Sequence, residues 1–317
     1  MVRTGIKNLK KKYEYDKSGM QFGHSSAIHD IDVIKHIEQF SPNFHDVLQT
    51  DSTVYIDTFL NWINSSKNHS ISGLDNFKYA VYSNGTTEGF EKFYWNNQHR
   101  KFRCFKGEYL YHKLAWRDWN WSFIEDGNLN QNDAVVISLP FADTGCKHDQ
   151  MNFVLNECDK LGIPVLIDAC YFGISGGIEY NFNHRCITDI TFSLSKVFPV
   201  AHARIGLRLT KEDTDDLLLV YHKHSYNNRI GAQLGIHLME KFSSDYIYNK
   251  YRSKQLYFCK ALDVRPSDTV ILGIGDEKWN QYNRGTDTNR LGLQNYLHLS
   301  LCPDKIIAEK FILPTQI

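Results

Sequence analysis

A lysine between two serines, a carboxylate closing an apolar run and a glycine–threonine turn are the residues of this chain best suited to chemistry. Lys196 lies in TFSLSKVF, flanked by Ser193, Ser195 and Phe198. Lysine is ordinarily solvated. One held in an apolar pocket near other cations gives up its proton more readily, and the neutral amine can form Schiff bases. Standing alone, the segment fits an ordinary surface lysine better. Eight residues later Arg204 precedes Ile205-Gly206-Leu207, and a guanidinium there can grip a phosphate through two parallel bonds. Asp168 ends the apolar run VLIDACY, and a carboxylate so placed must be paired, because an isolated buried charge is costly. It suits a helix cap or ion pair, or equally a partner for a protonated ring nitrogen, which keeps a pyridinium electron-withdrawing. Ser83-Asn84-Gly85-Thr86-Thr87-Glu88 reads as a strand–turn–helix junction whose N–H groups and helix dipole favour a phosphate. A plain helix cap is the simpler reading of that segment by itself.

The elements that must position these groups follow from hydrophobic pattern. Asp133–Leu139 (DAVVISL) and Ile163–Asp168 (IPVLID) are buried-type strands, and between them Asp149–Leu161 has amphipathic helical spacing and stops at Gly162. Strand, helix, strand makes a βαβ unit and hence a parallel sheet. Phe77–Ser83, Thr188–Ser193 and Ile205–Leu209 are further strands. Helical spacing occupies parts of 27–48, broken by a Ser-Pro step, then Thr53–Ser65 and the stretch from Thr86. Gly231–Leu262 reads as one long helix, and Asn295–Leu301 (NYLHLSL) as a late strand. The class is α/β. In open sheets of this kind ligands gather at the carboxyl ends of strands. Four polar clusters fall there: Gly85-Thr86-Thr87, Ala142-Asp143-Thr144-Gly145, Asp168 with Tyr171, and Ser193 to Lys196.

Composition narrows the function classes. The 317 residues carry 36 basic and 36 acidic side chains, so no net field draws nucleic acid or an anionic membrane. The basic N-terminus is not followed by an apolar run, and no stretch reaches membrane-spanning length. Seven cysteines are scattered without a CxxC pair, which points to reduced thiols in the cytoplasm and away from a zinc site. No metal is expected.

Taken together the clusters resemble the fold-type I aminotransferases of classes I and II, which depend on pyridoxal 5'-phosphate (PLP). The similarity runs from about Tyr79 to Leu209. SLSKVFPVAHARIGL is similar to the family's serine–x–serine–lysine segment with its following arginine and glycine. The resemblance implies that Lys196 holds the cofactor as a Schiff base and shuttles protons, with Ser193, Ser195 and Arg204 as phosphate or local contacts. IDACY makes Asp168 the partner of the pyridine nitrogen and Tyr171 the donor to the 3'-oxygen. NGTTEG places Gly85, Thr86 and Thr87 in the phosphate-cradling turn. Tyr109, or alternatively Tyr111, in FKGEYLYH stands where a ring stacks on the cofactor.

The departures concern substrate. SLPFADTG resembles an asparagine–proline–threonine–glycine turn, but Ala142 stands where the asparagine is expected. His298 in NYLHLSL stands where the family has an arginine for the substrate carboxylate, with Arg284 and Arg290 as possible replacements. Gly23 in MQFGHSS is a candidate for the substrate entrance, although a surface turn is simpler. His224-Ser225-Tyr226-Asn227 is a candidate loop toward a partner's cofactor.

The resemblance implies a large PLP-binding domain over 46–250, a smaller α+β lobe from 1–45 plus 251–317, and a homodimer with sites at the subunit interface. It implies transamination between small-molecule amine and carbonyl substrates, in which Lys196 acts as general base while Asp168 keeps the ring nitrogen protonated. The same cofactor also supports lyase and decarboxylase chemistry. A non-catalytic scaffold is the third reading, prompted by Ala142 and His298.

Overall fold

The computed structural model describes residues 25–213, 216–283, 286 and 288–299. Asp30 accepts the N–H groups of Asp32 and Val33 and starts α1 (Ile31–Glu38). The Ser41-Pro42 step then separates it from α2 (Phe44–Gln49), since proline disfavours helical geometry in the residue before it. Helix α3 (Ser52–Asn64), capped by Asp51, buries Tyr55, Phe59, Trp62 and Ile63 as its spacing predicts. Next come β1 (Ser70–Ser72), β2 (Tyr79–Ser83), α4 (Thr86–Asn96), β3 (Lys101–Cys104), α5 (Leu110–Ala115) and β4 (Trp121–Phe123). The run DAVVIS is β5 (Asp133–Ser138), buried throughout. Helix α6 (Met151–Leu161) stops at left-handed Gly162, and β6 (Val165–Asp168) follows. The second half contains β7 (Glu179–Asn181), β8 (Ile187–Ser193), β9 (Gly206–Thr210), α7 (Leu217–Lys223), α8 (Arg229–Lys241) and α9 (Tyr246–Leu262). It closes with β10 (Arg265–Pro266), β11 (Leu272–Gly275), β12 (Asn289–Gly292) and α10 (Gln294–Leu297).

Among the described residues the central sheet has seven strands in the order β2-β9-β8-β6-β5-β3-β4. The pairings are parallel except around β9, which runs against both neighbours. Strands β10, β11 and β12 form a separate antiparallel sheet, and β1 pairs with β7. The alternation of side chains across the pleat explains the unbroken apolar runs. Val135, Ile137, Val165 and Ile167 face the larger core, where α3 packs. Ala134, Val136 and Leu166 face a second core of Phe90, Phe93, Tyr94, Phe102 and Trp116. A strand covered on both faces has no polar side to show.

Two sequence expectations need correction. The stretch Gly231–Leu262 is two helices, not one: α8 ends at Lys241 and α9 begins at Tyr246. Between them Phe242 turns extended, and Asp245 accepts from the Ser66 hydroxyl and the Lys67 N–H, each at 2.6 Å. Serine and aspartate compete with helical hydrogen bonding in this way. Asn295–Leu301 is not a strand over its described part. The strand there is β12, and Gln294–Leu297 forms one helical turn that buries Gln294 and Leu297.

Candidate active site

The parallel strands deliver polar residues to one edge of the central sheet. Ser83 ends β2, Ser138 ends β5, Asp168 ends β6 and Ser193 ends β8. Beyond these ends lies a cavity of about 350 Å³ lined by Thr86, Thr87, Tyr109, Asp168, Tyr171, Ser193, Ser195, Lys196, Arg204, Ala142 and Arg290, among others. Most of the residues singled out in the sequence therefore meet in one place.

At one wall, α4 opens at Gly85 without a side-chain cap. Gly85 has φ +74°, and a Cβ there would come within 2.2 Å of Arg204 Nη2, so only glycine lets the guanidinium lie against the helix start. Arg204 donates to Asn84 O at 3.0 Å and to Thr87 Oγ1 at 3.1 Å. Its own backbone is left-handed, and Tyr82 Oη donates to its carbonyl at 2.8 Å. Ser193 and Ser195 hydroxyls bond each other at 2.9 Å. Helix start, guanidinium and hydroxyls together form a donor set suited to a phosphate.

The middle of the cavity is acidic and buried. Asp168 Oδ1 accepts from Cys170 N–H at 3.0 Å. Burial, and then the neighbouring Glu108 carboxylate, push the Asp168 carboxyl up to about 8, while Lys196 pulls it back. A carboxyl raised this far by burial in a cleft is a candidate functional group. Lys196 Nζ donates to Ser25 O at 2.5 Å, and Tyr171 Oη donates to Ser25 Oγ at 2.5 Å. Tyr109 lines the cavity and is half exposed, with its hydroxyl pushed up by burial. Tyr111, the alternative ring, points to Glu91 Oε1 at 2.6 Å and is not a lining residue.

No family model and no curated protein matches the sequence. Solved structures do match. One is a PLP-bound C-S lyase from Staphylococcus hominis complexed with L-cycloserine, with a TM-score of 0.62 and 12% identity, covering 87% of this chain and 88% of that one. An aminotransferase from Neisseria meningitidis gives a TM-score of 0.62 and 14% identity over 87% and 86%. The histidinol-phosphate aminotransferase from Clostridium acetobutylicum gives 0.57 and 15% over 90% and 96%. This chain has the fold-type I fold of PLP-dependent enzymes. At such identities the likeness shows the fold alone.

Within that fold the residues fit the cofactor. The phosphate-type donor set, the raised acid and the amine line one cavity, and the missing side chain of Gly85 leaves room for Arg204, where a Cβ would come within 2.2 Å of Nη2. The residues expected to meet a substrate are divided in the structure. His298 follows α10, its ring 6.1 Å from that of His29, and it does not line the cavity. Arg290 does: it sits on β12, buried, and donates through Nη1 to the Ala142 carbonyl. Ala142 thus brings a backbone oxygen to the site but no polar side chain. Gly23 and Arg284 lie outside the described residues. Tyr226 in the His224–Asn227 loop is largely exposed, and Ser225 is left-handed.

Two features escaped the sequence reading. Glu108 lies buried beside Ser138, at the strand end next to Asp168; a lone glutamate before a tyrosine gave no signal. Asp159, His184 and Cys186 also converge, with ligand atoms within 4.8 Å of one another. There Asp159 serves the protein's own groups, accepting from Cys186 N–H at 2.7 Å and meeting His184 Nδ1 at 2.6 Å.

Proposed function

We propose that the protein is a PLP-dependent enzyme of the aminotransferase type, acting on a small amine and a carbonyl acceptor. The observation that carries this reading is the placing of Lys196, Asp168 and Arg204 around one cavity. When bound, PLP supplies an aldehyde that condenses with amines and a ring that withdraws electrons. Arg204, Thr86, Thr87, Ser193 and Ser195 would hold the phosphate, with Gly85 giving the room. Asp168 would keep a ring nitrogen protonated, Tyr171 would donate to the ring oxygen, and Tyr109 would stack on one face. Lys196 would bind the aldehyde and, once free, move the substrate's α-proton as general base. Arg290 would grip a substrate carboxylate, a role that Ala142 and His298 leave open.

Borohydride reduction of the protein loaded with PLP, followed by peptide mass analysis, tests the attachment: the added mass is expected on Lys196. Absence of any adduct favours the non-catalytic scaffold. A single amino donor should convert the cofactor to pyridoxamine phosphate. Release of ammonia, sulfide or carbon dioxide without that conversion favours a lyase or decarboxylase, a reading supported by the likeness to a C-S lyase at the same TM-score as an aminotransferase.

A homodimer is part of the proposal. Phe44, Leu48, Tyr221, Tyr226 and Ile230 are exposed apolar residues on segments tied together by Ser52–Asn227 and Thr50–Gln233 bonds. Patches of this kind mark interfaces. Light scattering coupled to size exclusion should give twice the mass of one chain. A cytoplasmic location is supported by six described cysteines, all free. No described helix is long and apolar enough to cross a membrane.

A further inference from the structure

We propose that Glu108 is a second acid of the site, a positioning residue that sets the charge felt by Asp168 and holds the backbone of Tyr109 at the cavity. The inference rests on the PLP reading of that cavity and goes beyond it, since nothing in that reading calls for a second acid.

The geometry is that of a bracket. Glu108 is buried at the turn between β3 and α5. Its Oε1 accepts the Ser138 N–H at 2.7 Å, and its Oε2 takes both the Ser138 hydroxyl and, at 3.2 Å, the N–H of Tyr109. Ser138 pairs in register with Asp168 across β5 and β6, and the Asp168 carbonyl accepts from Leu139 N–H at 2.9 Å. One carboxyl therefore ties the residue that carries the stacking ring to the strand beside the acid. Both Ser138 and Tyr109 line the cavity.

The charges around it say what the bracket does. The groups coupled electrostatically to Glu108 include Asp168 on β6, Cys104 on β3 and Lys113 on α5. Burial drives the Glu108 carboxyl up to about 7, against the pull of the two Ser138 bonds, the Tyr109 N–H and Lys113. Glu108 in turn is the largest charge raising Asp168. Two acids in one dry site do not ionise independently. A cation opposite Asp168 favours its anion, and the proton then resides on Glu108. As pH rises and Glu108 ionises, the added negative charge holds a proton more tightly on any cation the site contains. Glu108 would thus make the cofactor's electronic state respond to pH near neutrality.

The test follows the visible spectrum of the PLP-loaded protein from pH 5 to 9, after borohydride reduction of a sample has shown cofactor on Lys196. Wild type should show a spectral transition between about pH 6 and 8 that Glu108→Gln lacks, with the cofactor still attached. Ser138→Ala, which removes only one donor to Glu108, should move that transition up by roughly one pH unit. The same transition in Glu108→Gln, or no movement in Ser138→Ala, overturns the proposal. Should Glu108→Gln fail to fold, Ser138→Ala decides alone. Failure of wild type to attach PLP is a different result, and it sinks the functional reading instead.

Discussion

The two ends of the cavity are built differently. At the end proposed to hold the phosphate, Gly85, Thr86, Thr87 and Arg204 come from two short segments that adjacent strands β2 and β9 bring together, with Gly206 so close that a Cβ would meet the Gly85 backbone at 2.9 Å. At the end proposed for the substrate, Ala142 follows β5 while Arg290 arrives on β12 from a separate sheet. The first end joins two short segments 117 to 120 positions apart on neighbouring strands of one sheet, and each segment carries motif spacing. The second joins two different sheets, so its chemistry can change without disturbing the cradle. Variants at the two ends should therefore fail in different ways.

The largest effect should come from Lys196, which belongs to neither end. Lys196→Ala removes the amine and the base at once, and turnover should fall on the order of a thousandfold or more, with no reducible adduct. Retained turnover would show that Lys196 is only a lining residue. Arg290→Gln comes next. Loss of a buried charged partner costs about 2–5 kcal/mol, so kcat/KM for a carboxylate-bearing amine should drop roughly 100-fold or more while PLP affinity changes little. If an amine lacking the carboxylate suffers equally, Arg290 is structural.

Gly85→Ala probes the other end. The new methyl would press on Arg204 Nη2 at a backbone φ of +74°, and PLP affinity should fall about tenfold or more, on the order of 1.4 kcal/mol. Gly162→Ala is the control. Its φ is also positive, +67°, yet nothing lies within 4 Å of a Cβ there. It should lower stability by about 1 kcal/mol and leave PLP affinity unchanged. Equal losses of affinity in both variants would mean that strain, not the Arg204 contact, is being measured.

How much of this was readable from sequence follows the same division. The DAVVIS and VLID strands announced themselves because both faces are covered, and α6 because its stop is a glycine. Lys196, Asp168 and Arg204 were legible because each sits within a few residues of a strand end. Strand β3 was missed because Arg103 makes KFRC look polar. That guanidinium is in fact buried, bonding Asp133 at 2.7 Å and the carbonyls of Phe123, Gly127 and Asn128. The α8–α9 break was hidden because the partners of Asp245, Ser66 and Lys67, lie 178 or more positions away. His298 was favoured over Arg290 because NYLHLSL alternates like a strand, while its described part packs as a helical turn. Arg290 could not be chosen without the strand pairing that brings it beneath Ala142.

The middle of the cavity yields the smallest and most specific prediction, made on the protein without cofactor. Asp168 is raised from 3.8 to about 8 in the folded chain, mainly by burial. An acid with a raised folded value binds its proton more tightly folded than unfolded, so the folded state is favoured most at low pH. As pH climbs above 3.8 the unfolded chain releases the proton first, and stability drains away until the folded acid also ionises near 8. Asp168→Asn removes that drain. Its melting temperature relative to wild type should therefore rise across this window, by on the order of 2–5 °C between pH 5 and pH 8. Arg204→Gln, at the phosphate end, should show no such slope. A pH-independent gap for Asp168→Asn would mean that the acid is already ionised in the apoprotein, paired with Lys196. The acidic centre would then be as self-satisfied as the cores around it, with no proton waiting for a ring nitrogen.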